Sequence, residues 1–537
     1  MFKKWHGNPW AILATLSLGF FMTLLDLTIV NIAIPQLGED LDASLDEILW
    51  VVNAYTLALA VLLITGGRLG DLRGKRNLFA AGVALFTLAS LACGLAQDPA
   101  QLIAFRAVQG LGAALLMPQT LSIIAEVFPA DRRGVAMGIW GAVAGVSGAL
   151  GPILGGALIT HLSWRWIFFV NLPFGVIVLV MTVAIIPGAQ RTVRHSFDTL
   201  GVLLASTALF CLAFGLTEGQ RYDWNRWIWS LFTSAAVLFA AFLLHERGRQ
   251  TGEPLVPFAL FRDRNFTLVN VVGVTVSFGV VGMFLPLTIY LQSVLGFSAL
   301  KSGLVLLPVA IGSFVTAGPA GALADRIGGK FILMGGLLAW AAGLTWVVAV
   351  ADVGSGWLSI ALPLLLTGLG VGCTFAPMAT EVMRGVPARL AGAASGVTNA
   401  LRQVGSVLAG AVVGAVLQNQ LASALTDRAR ESAGRLPAGY RDSFVAAFSG
   451  ARPDVGAPQQ GGVPHGVPQD VAERMRALGQ EVFGHGFVDA MGPAVYVSAA
   501  VLLTGALACL AVRRHRGPSA NPHALPVSDP ELEEANR

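Results

Sequence analysis

The chain predicts an all-α polytopic membrane protein: two six-helix bundles plus two extra central transmembrane helices. Three observations carry this. The 537 residues are 55% hydrophobic and only 12% charged, where a soluble domain holds about 25% charged residues. The apolar residues fall in runs of about 20, enough to cross a bilayer as a helix. One small-residue turn recurs at the same place in both halves of the chain. These features exclude a soluble enzyme, a disulfide scaffold and a disordered chain. They also exclude a nucleic-acid surface, because the net charge of +4 sits in short clusters between apolar runs.

Six candidate spans come first, at 11–34, 48–67, 77–96, 101–124, 135–159 and 166–187. Two more follow at 198–217 and 227–244, then six at 266–291, 302–323, 331–350, 356–379, 391–417 and 491–511. The implied units are a cytoplasmic N-terminus (1–9), a first bundle (10–187), a central insertion (188–264), a second bundle (265–511) and a polar tail (512–537). The second bundle contains one long polar stretch, 418–490, read as a loosely folded outer loop. Within it, Val471, Met475, Leu478 and Val482 recur at helical spacing, as in an interfacial amphipathic helix.

Lys and Arg orient the spans. With Lys3 and Lys4 inside, the inner loops collect Arg68, Arg73, Lys75 and Arg76, then Arg132 and Arg133, Arg191 and Arg194, and Arg247, Arg249, Arg262 and Arg264. Arg326 and Lys330, Arg384 and Arg389, and Arg513, Arg514 and Arg516 continue the pattern. Short outer loops hold only Arg165, Arg221, Arg226 and Lys301. Both termini are therefore expected in the cytoplasm of a cell carrying the chain in its inner (cytoplasmic) membrane. The first apolar run is too long for a cleavable signal and contains Asp26.

The repeat lies between the second and third spans of each bundle. Gly67-Arg68-Leu69-Gly70-Asp71-Leu72-Arg73-Gly74-Lys75-Arg76 is matched by Gly321-Ala322-Leu323-Ala324-Asp325-Arg326-Ile327-Gly328. Two like-oriented bundles related by an axis along the membrane normal are implied, with a central site between them. Each aspartate ends a helix at the inner face. There it can accept hydrogen bonds from arginines or from a neighbouring helix N-terminus. The expected inner gate is Gly67, Asp71, Arg73, Gly74 and Arg76, with Asp325 and Arg326 opposite. The alternative is that the basic residues only hold topology.

Polar groups inside the spans are expensive and point to function. Asp26 in the first span, with Asn31, is a candidate proton or cation site. Arg106 and Gln109 lie early in the fourth span. Asn399, Arg402 and Gln403 lie in the thirteenth, with Asn399 and Gln403 on one face. Tyr290 and Gln292 add polar atoms at a span end. Gly148, Gly151, Pro152, Gly155 and Gly156 place small residues along the fifth span, where Gly151-Pro152 predicts a bend. His161, His195 and His245 fall at loops and are not read as ligands. No metal site, cofactor site, nucleotide loop or catalytic set is present in the sequence.

Several strings together resemble the fourteen-span drug:proton antiporter family of the major facilitator superfamily, of the EmrB/QacA type. They are Leu25-Asp26-x-Thr28-x-Val30-Asn31-x-Ala33-x-Pro35, the 67–76 loop, and Arg106 with Gln109, Gly110 and Gly112. Gly151-Pro152-x-x-Gly155-Gly156, Trp164-Arg165-Trp166-x-Phe168-x-x-Asn171-x-Pro173 and Tyr290-Leu291-Gln292-x-Val294-Leu295-Gly296 complete the set. Leu72, Ser147, Ala299, Gly70 and Gly329 depart from the commonest pattern. The resemblance implies export by alternating access, driven by inward protons. Asp26 would be an acid of the translocation path, Arg106 part of proton coupling, Asp71 an inner-gate residue and Gly151-Pro152 a leak-proof kink.

The second half has no obvious membrane carboxylate beyond Asp325 and Glu381. The expected substrates are therefore lipophilic neutral or monocationic drugs rather than dications, moved by a monomer with no cofactor. The competing readings are a substrate-specific carrier for a metabolite, siderophore or sugar, and a non-transporting sensor on a transporter fold.

Overall fold

A computed structural model describes residues 5–43, 45–129, 132–188, 198–219, 222, 224–250, 254–387, 390–449 and 468–513, apart from a few side chains within helices. The first bundle comprises α1 (Pro9–Asp40), α2 (Leu45–Arg73), α3 (Lys75–Leu95), α4 (Pro99–Val127), α5 (Arg133–His161), α6 (Trp166–Phe169) and α7 (Asn171–Ile185). The insertion is α8 (Thr199–Glu218) and α9 (Arg226–Arg249), followed by the short α10 (Ala259–Arg262). The second bundle comprises α11 (Arg264–Ile289), which runs into a π-helical turn at Tyr290–Val294, then α12 (Ala299–Val305), α13 (Leu307–Ile327), α14 (Lys330–Val350) and α15 (Trp357–Arg384). It ends with α16 (Ala391–Ala433), α17 (Ala438–Ser449) and α18 (Gln469–Ala511). Among the described residues, thirteen helical stretches are long and apolar enough to cross a membrane, and the bent α5 makes up to fourteen.

The helix starts are encoded locally. Asn8 caps α1 by accepting from the N–H groups of Trp10 and Ala11, with Pro9 at the first helical position. Asp98 accepts from Gln101 N–H at α4, and Asp263 from Asn265 and Phe266 N–H at α11. Each cap satisfies donors that the helix itself cannot. The repeat reappears as backbone geometry. Gly74 and Gly328, three residues after Asp71 and Asp325, have φ of 92° and 87°. A side chain in that region costs roughly 1–2 kcal/mol, so the two inner turns need their glycines.

Packing repeats too. α4 packs on α2 and α3 as α15 packs on α13 and α14, and α1 packs on α5 and α7 as α11 packs on α16 and α18. The halves meet along two seams, α5 against α12, α13 and α15, and α16 against α2 and α4. α8 lies outside the second seam, touching both α2 and α16. The small residues of α5 serve the first seam. A Cβ on Gly138 would meet Ala317 O at 2.5 Å, and one on Gly148 would meet the Phe284 ring at 2.9 Å. The stretches Val135–Gly148 and Ile153–His161 of α5 meet at 41°.

The 418–490 stretch differs from the expected loose loop. α16 and α18 are unbroken helices of 43 residues each, or about 65 Å at 1.5 Å per residue, against about 30 Å of hydrocarbon. Their outer parts pair above the bundle. Val471, Met475, Leu478 and Val482 are buried together with Leu421, Leu425, Phe444 and Phe448 in one continuous core. The amphipathic stripe therefore faces protein rather than the lipid interface. Exposed pairs rim the hairpin, Arg428 with Asp489 at 2.9 Å and Arg435 with Glu481 at 2.8 Å. Residues 450–467 lie outside the described residues.

Candidate functional site

The first bundle encloses a polar network assembled from four spans. Asp26 of α1 is fully buried, as are Ser90 of α3, Arg106 and Gln109 of α4 and Asn171 at the start of α7. Arg106 donates to one oxygen of Asp26 and, at 2.7 Å, to Gln109 Oε1. Its Nε donates to Val51 O at 3.0 Å, and its guanidinium lies 4.4 Å from the Tyr55 ring centre. Gln109 Nε2 donates to the other Asp26 oxygen at 2.8 Å and to Ser90 Oγ at 2.6 Å. Asn171 Nδ2 reaches Asp26 and Ser90, each at 3.3 Å. A guanidinium offers five N–H donors and stays charged. Here carboxylate, amide, carbonyl and aromatic face together compensate it. The site holds a buried Arg106–Asp26 charge pair inside a closed shell of polar partners.

Asp26, Arg106 and Gln109 are thus brought together, while the Asn31 side chain lies outside the described residues. Ser90, Tyr55 and Asn171 were not read as site residues. Asn171 stood in a recognised string, and Ser90 and Tyr55 gave only the weak signal of polar atoms in apolar runs.

The inner turn of the first half crosses to the other bundle. Asp71 accepts from Gly392 N–H at 3.2 Å and Ala393 N–H at 2.9 Å, at the N-terminus of α16. A Cβ on Gly67 would meet Gly392 O at 2.5 Å, so glycine permits this crossing. Ser395 Oγ donates to Pro118 O at 2.8 Å beside it. Lys75 sits 3.7 Å from Asp71 and 2.6 Å from Glu126. The Asp71 end of this seam is closed. Of the two kinds of partner expected, Asp71 takes a helix N-terminus by hydrogen bonds, with Lys75 and Arg68 acting on it electrostatically; Arg73 is exposed, and Arg76 donates to Val183 O at 2.9 Å within its own half.

The second inner turn is held differently. Gly329 N–H donates to Glu381 at 2.7 Å, inside the same bundle. Asp325 faces Arg133 electrostatically, where burial lowers the arginine's pKa and the aspartate opposes that shift. Arg326 is exposed.

The remaining candidates do not join the Asp26 network. Tyr290 donates to Asp352 O at 2.7 Å and accepts from Asp352 N–H at 3.1 Å, which ties the π turn to the α14–α15 loop. Gln292 lies in that π turn and Gln403 on α16, both partly buried. Asn399 donates to Ser395 O at 2.9 Å, near the closed seam. Arg402 lies over the Phe375 ring at 5.1 Å. Gly151 faces Thr28 of α1, and Gly156 faces Leu300 of α12. Gly155 is buried on α5, and the Pro152 side chain lies outside the described residues.

His245, read as a loop residue, lies within α9 and contacts Asp198 at 2.9 Å. The N–H of Gly201 and His245 outweigh burial there and keep the Asp198 pKa below its ordinary value. His161 ends α5, and His195 lies outside the described residues. Among the described residues no group of three metal-ligating side chains occurs.

The chain matches the family model of the Major Facilitator Superfamily over residues 16–410. It is 40% identical to an uncharacterized MFS-type transporter of Mycobacterium tuberculosis, over 83% of this chain and 78% of that protein. It is 37% identical to the tetracenomycin C resistance and export protein of Streptomyces glaucescens, over 97% of this chain and 95% of that protein. Among solved structures it resembles the proton:xylose symporter XylE bound to 6-bromo-6-deoxy-D-glucose, with a TM-score of 0.61 at 14% identity, over 95% of this chain and 97% of the other. The two packed bundles and the family match agree: the chain is a multi-pass membrane transporter that belongs to the Major Facilitator Superfamily.

Proposed function

We propose that this transporter exports amphiphilic drugs or antibiotics across the cytoplasmic membrane in exchange for protons, as a monomer with both termini inside and no cofactor. The observation that carries the proton coupling is the buried Asp26, held by Arg106, Gln109 and Asn171. A carboxylate so placed can pass between two conditions. Ionised, it compensates Arg106. Protonated, it releases that arginine's strongest partner and weakens the network at one point. Substrate entering from the inner side is coupled to loss of the Asp26 proton. The Asp71–α16 contact then closes the inner side, and a proton from outside resets the carrier. Each proton moving inward through 100 mV supplies about 2.3 kcal/mol.

The test is substrate-driven proton movement in proteoliposomes, with a chemically mixed drug panel. Wild type is expected to release protons when compound is added, and Asp26→Asn to fall below roughly a tenth of that rate while eluting as folded protein. Full exchange by Asp26→Asn would overturn the role of this carboxylate. A second reading, an exporter dedicated to one antibiotic, is favoured by the name of the relative aligned over 97% of the chain. A response to a single compound class in the same panel would select it.

A further inference from the structure

The second bundle holds a partly buried arginine whose surroundings are the reverse of those of Arg106. Arg402 sits eleven residues into α16, about 16 Å from the inner end of that helix and near mid-membrane depth. Its shaft passes Gly273 of α11, where a Cβ would meet Cγ at 3.4 Å. Its guanidinium lies over the Phe375 ring of α15. Phe375 in turn meets the other half, since a Cβ on Gly141 of α5 would touch Phe375 Cβ at 3.2 Å. The arginine therefore stands beside the inter-bundle seam, and its side chain is partly exposed there.

Among the described residues no carboxylate pairs with this guanidinium and no hydrogen bond reaches it. The buried acidic groups of the membrane spans and inner turns are committed elsewhere: Asp26 to Arg106, Asp71 to the α16 N-terminus, and Glu381 to Gly329 N–H and Arg384. A guanidinium donor set without an acceptor beside the seam is an arrangement that an anion completes. A guanidinium in a membrane normally has an anionic partner, a water-filled cavity or backbone carbonyls. An aromatic face compensates it only in part.

We propose that Arg402 and Phe375 form a subsite for an amphiphilic aromatic anion, a substrate carrying a carboxylate or ionised phenol on a planar ring system. The guanidinium takes the anionic oxygens in its planar fork, and Phe375 beneath it holds the fork in place. The inference rests on the export reading for its physiological meaning and names the substrate class. It reverses the sequence expectation of neutral or cationic cargo.

The experiment measures equilibrium binding by fluorescence anisotropy on the full-length detergent-solubilised protein. Two xanthene dyes of similar shape are used, anionic fluorescein and cationic tetramethylrosamine. Wild type is expected to bind fluorescein about tenfold more tightly than tetramethylrosamine. Arg402→Gln is expected to weaken fluorescein about tenfold and leave tetramethylrosamine within about twofold, with Arg402→Lys intermediate. Preference of wild type for the cation, binding of neither dye, or equal loss of both in Arg402→Gln with fluorescein unchanged in its rank would overturn the subsite. The wild-type comparison needs no variant, so a folding defect in Arg402→Gln leaves the proposal falsifiable. Binding is read apart from transport. Selective fluorescein binding without drug-driven proton movement would refute the export reading and keep the subsite, and the reverse result would do the opposite.

Discussion

Arg106 and Arg402 are both arginines on membrane-spanning helices, one in each bundle, and their environments differ in kind. Arg106 is enclosed by Asp26, Gln109, Val51 O and the Tyr55 ring. Among the described residues, the Arg402 guanidinium has the Phe375 ring as its partner. The two bundles share a fold pattern, so the contrast comes from side chains and not from architecture. The lesson is that a repeated scaffold can dedicate one half to an internal charge pair and leave the other half an open charge for a partner from outside.

The largest expected effect breaks this comparison through stability. Arg106→Met leaves Asp26 buried without its counter-charge and is expected to cost about 3–5 kcal/mol. Arg402→Met removes a charge that has no counter-ion among the described residues, and is expected to leave the thermal midpoint unchanged or raise it. Thermal unfolding of both variants in the same detergent checks this, and equal destabilisation would erase the distinction. Next in size is the seam. Gly67→Val drives side-chain atoms into Gly392 O and is expected to open the inner side. A cysteine at Ser395, now buried, should then react with a maleimide at least about fivefold faster. The smallest effects belong to exposed basic residues of the two inner turns. Arg73→Ala and Arg326→Ala are expected to change stability by no more than about 0.5 kcal/mol. A large loss of transport in Arg73→Ala would show that it acts in a conformation with the inner side open.

The fold was legible because apolar runs of membrane length and a turn repeated at one register leave few architectures. Asp26, Arg106 and Gln109 were legible for the same reason, since strongly polar groups in hydrocarbon need partners. Ser90 and Asn171 were not, because uncharged polar residues occur throughout these helices and only the packing of α3 on α4 and of α7 on α1 and α3 selects these two. Asp71 was readable as an acceptor for arginines or a helix N-terminus, but that the helix is α16 of the other bundle comes only from the packing. The outer part of α16 was misread because Gln418, Asn419 and Gln420 begin a polar composition. Yet Leu417, Leu421, Leu425, Ala429 and Ala433 keep a buried position at every fourth residue, the period of a helix face. Composition masked periodicity there.

α16 has one further consequence. The same uninterrupted helix begins where Asp71 grips it, passes Arg402 at mid-depth, and ends in the hairpin above the bundle. About half of its length lies beyond the hydrocarbon. A rod held near its foot magnifies small rotations at its tip: tilting by about 10° sweeps a protruding length of about 35 Å through roughly 6 Å. The outer hairpin is thus a built-in pointer, on which a fluorescent pair can read the state of a gate on the opposite side of the membrane.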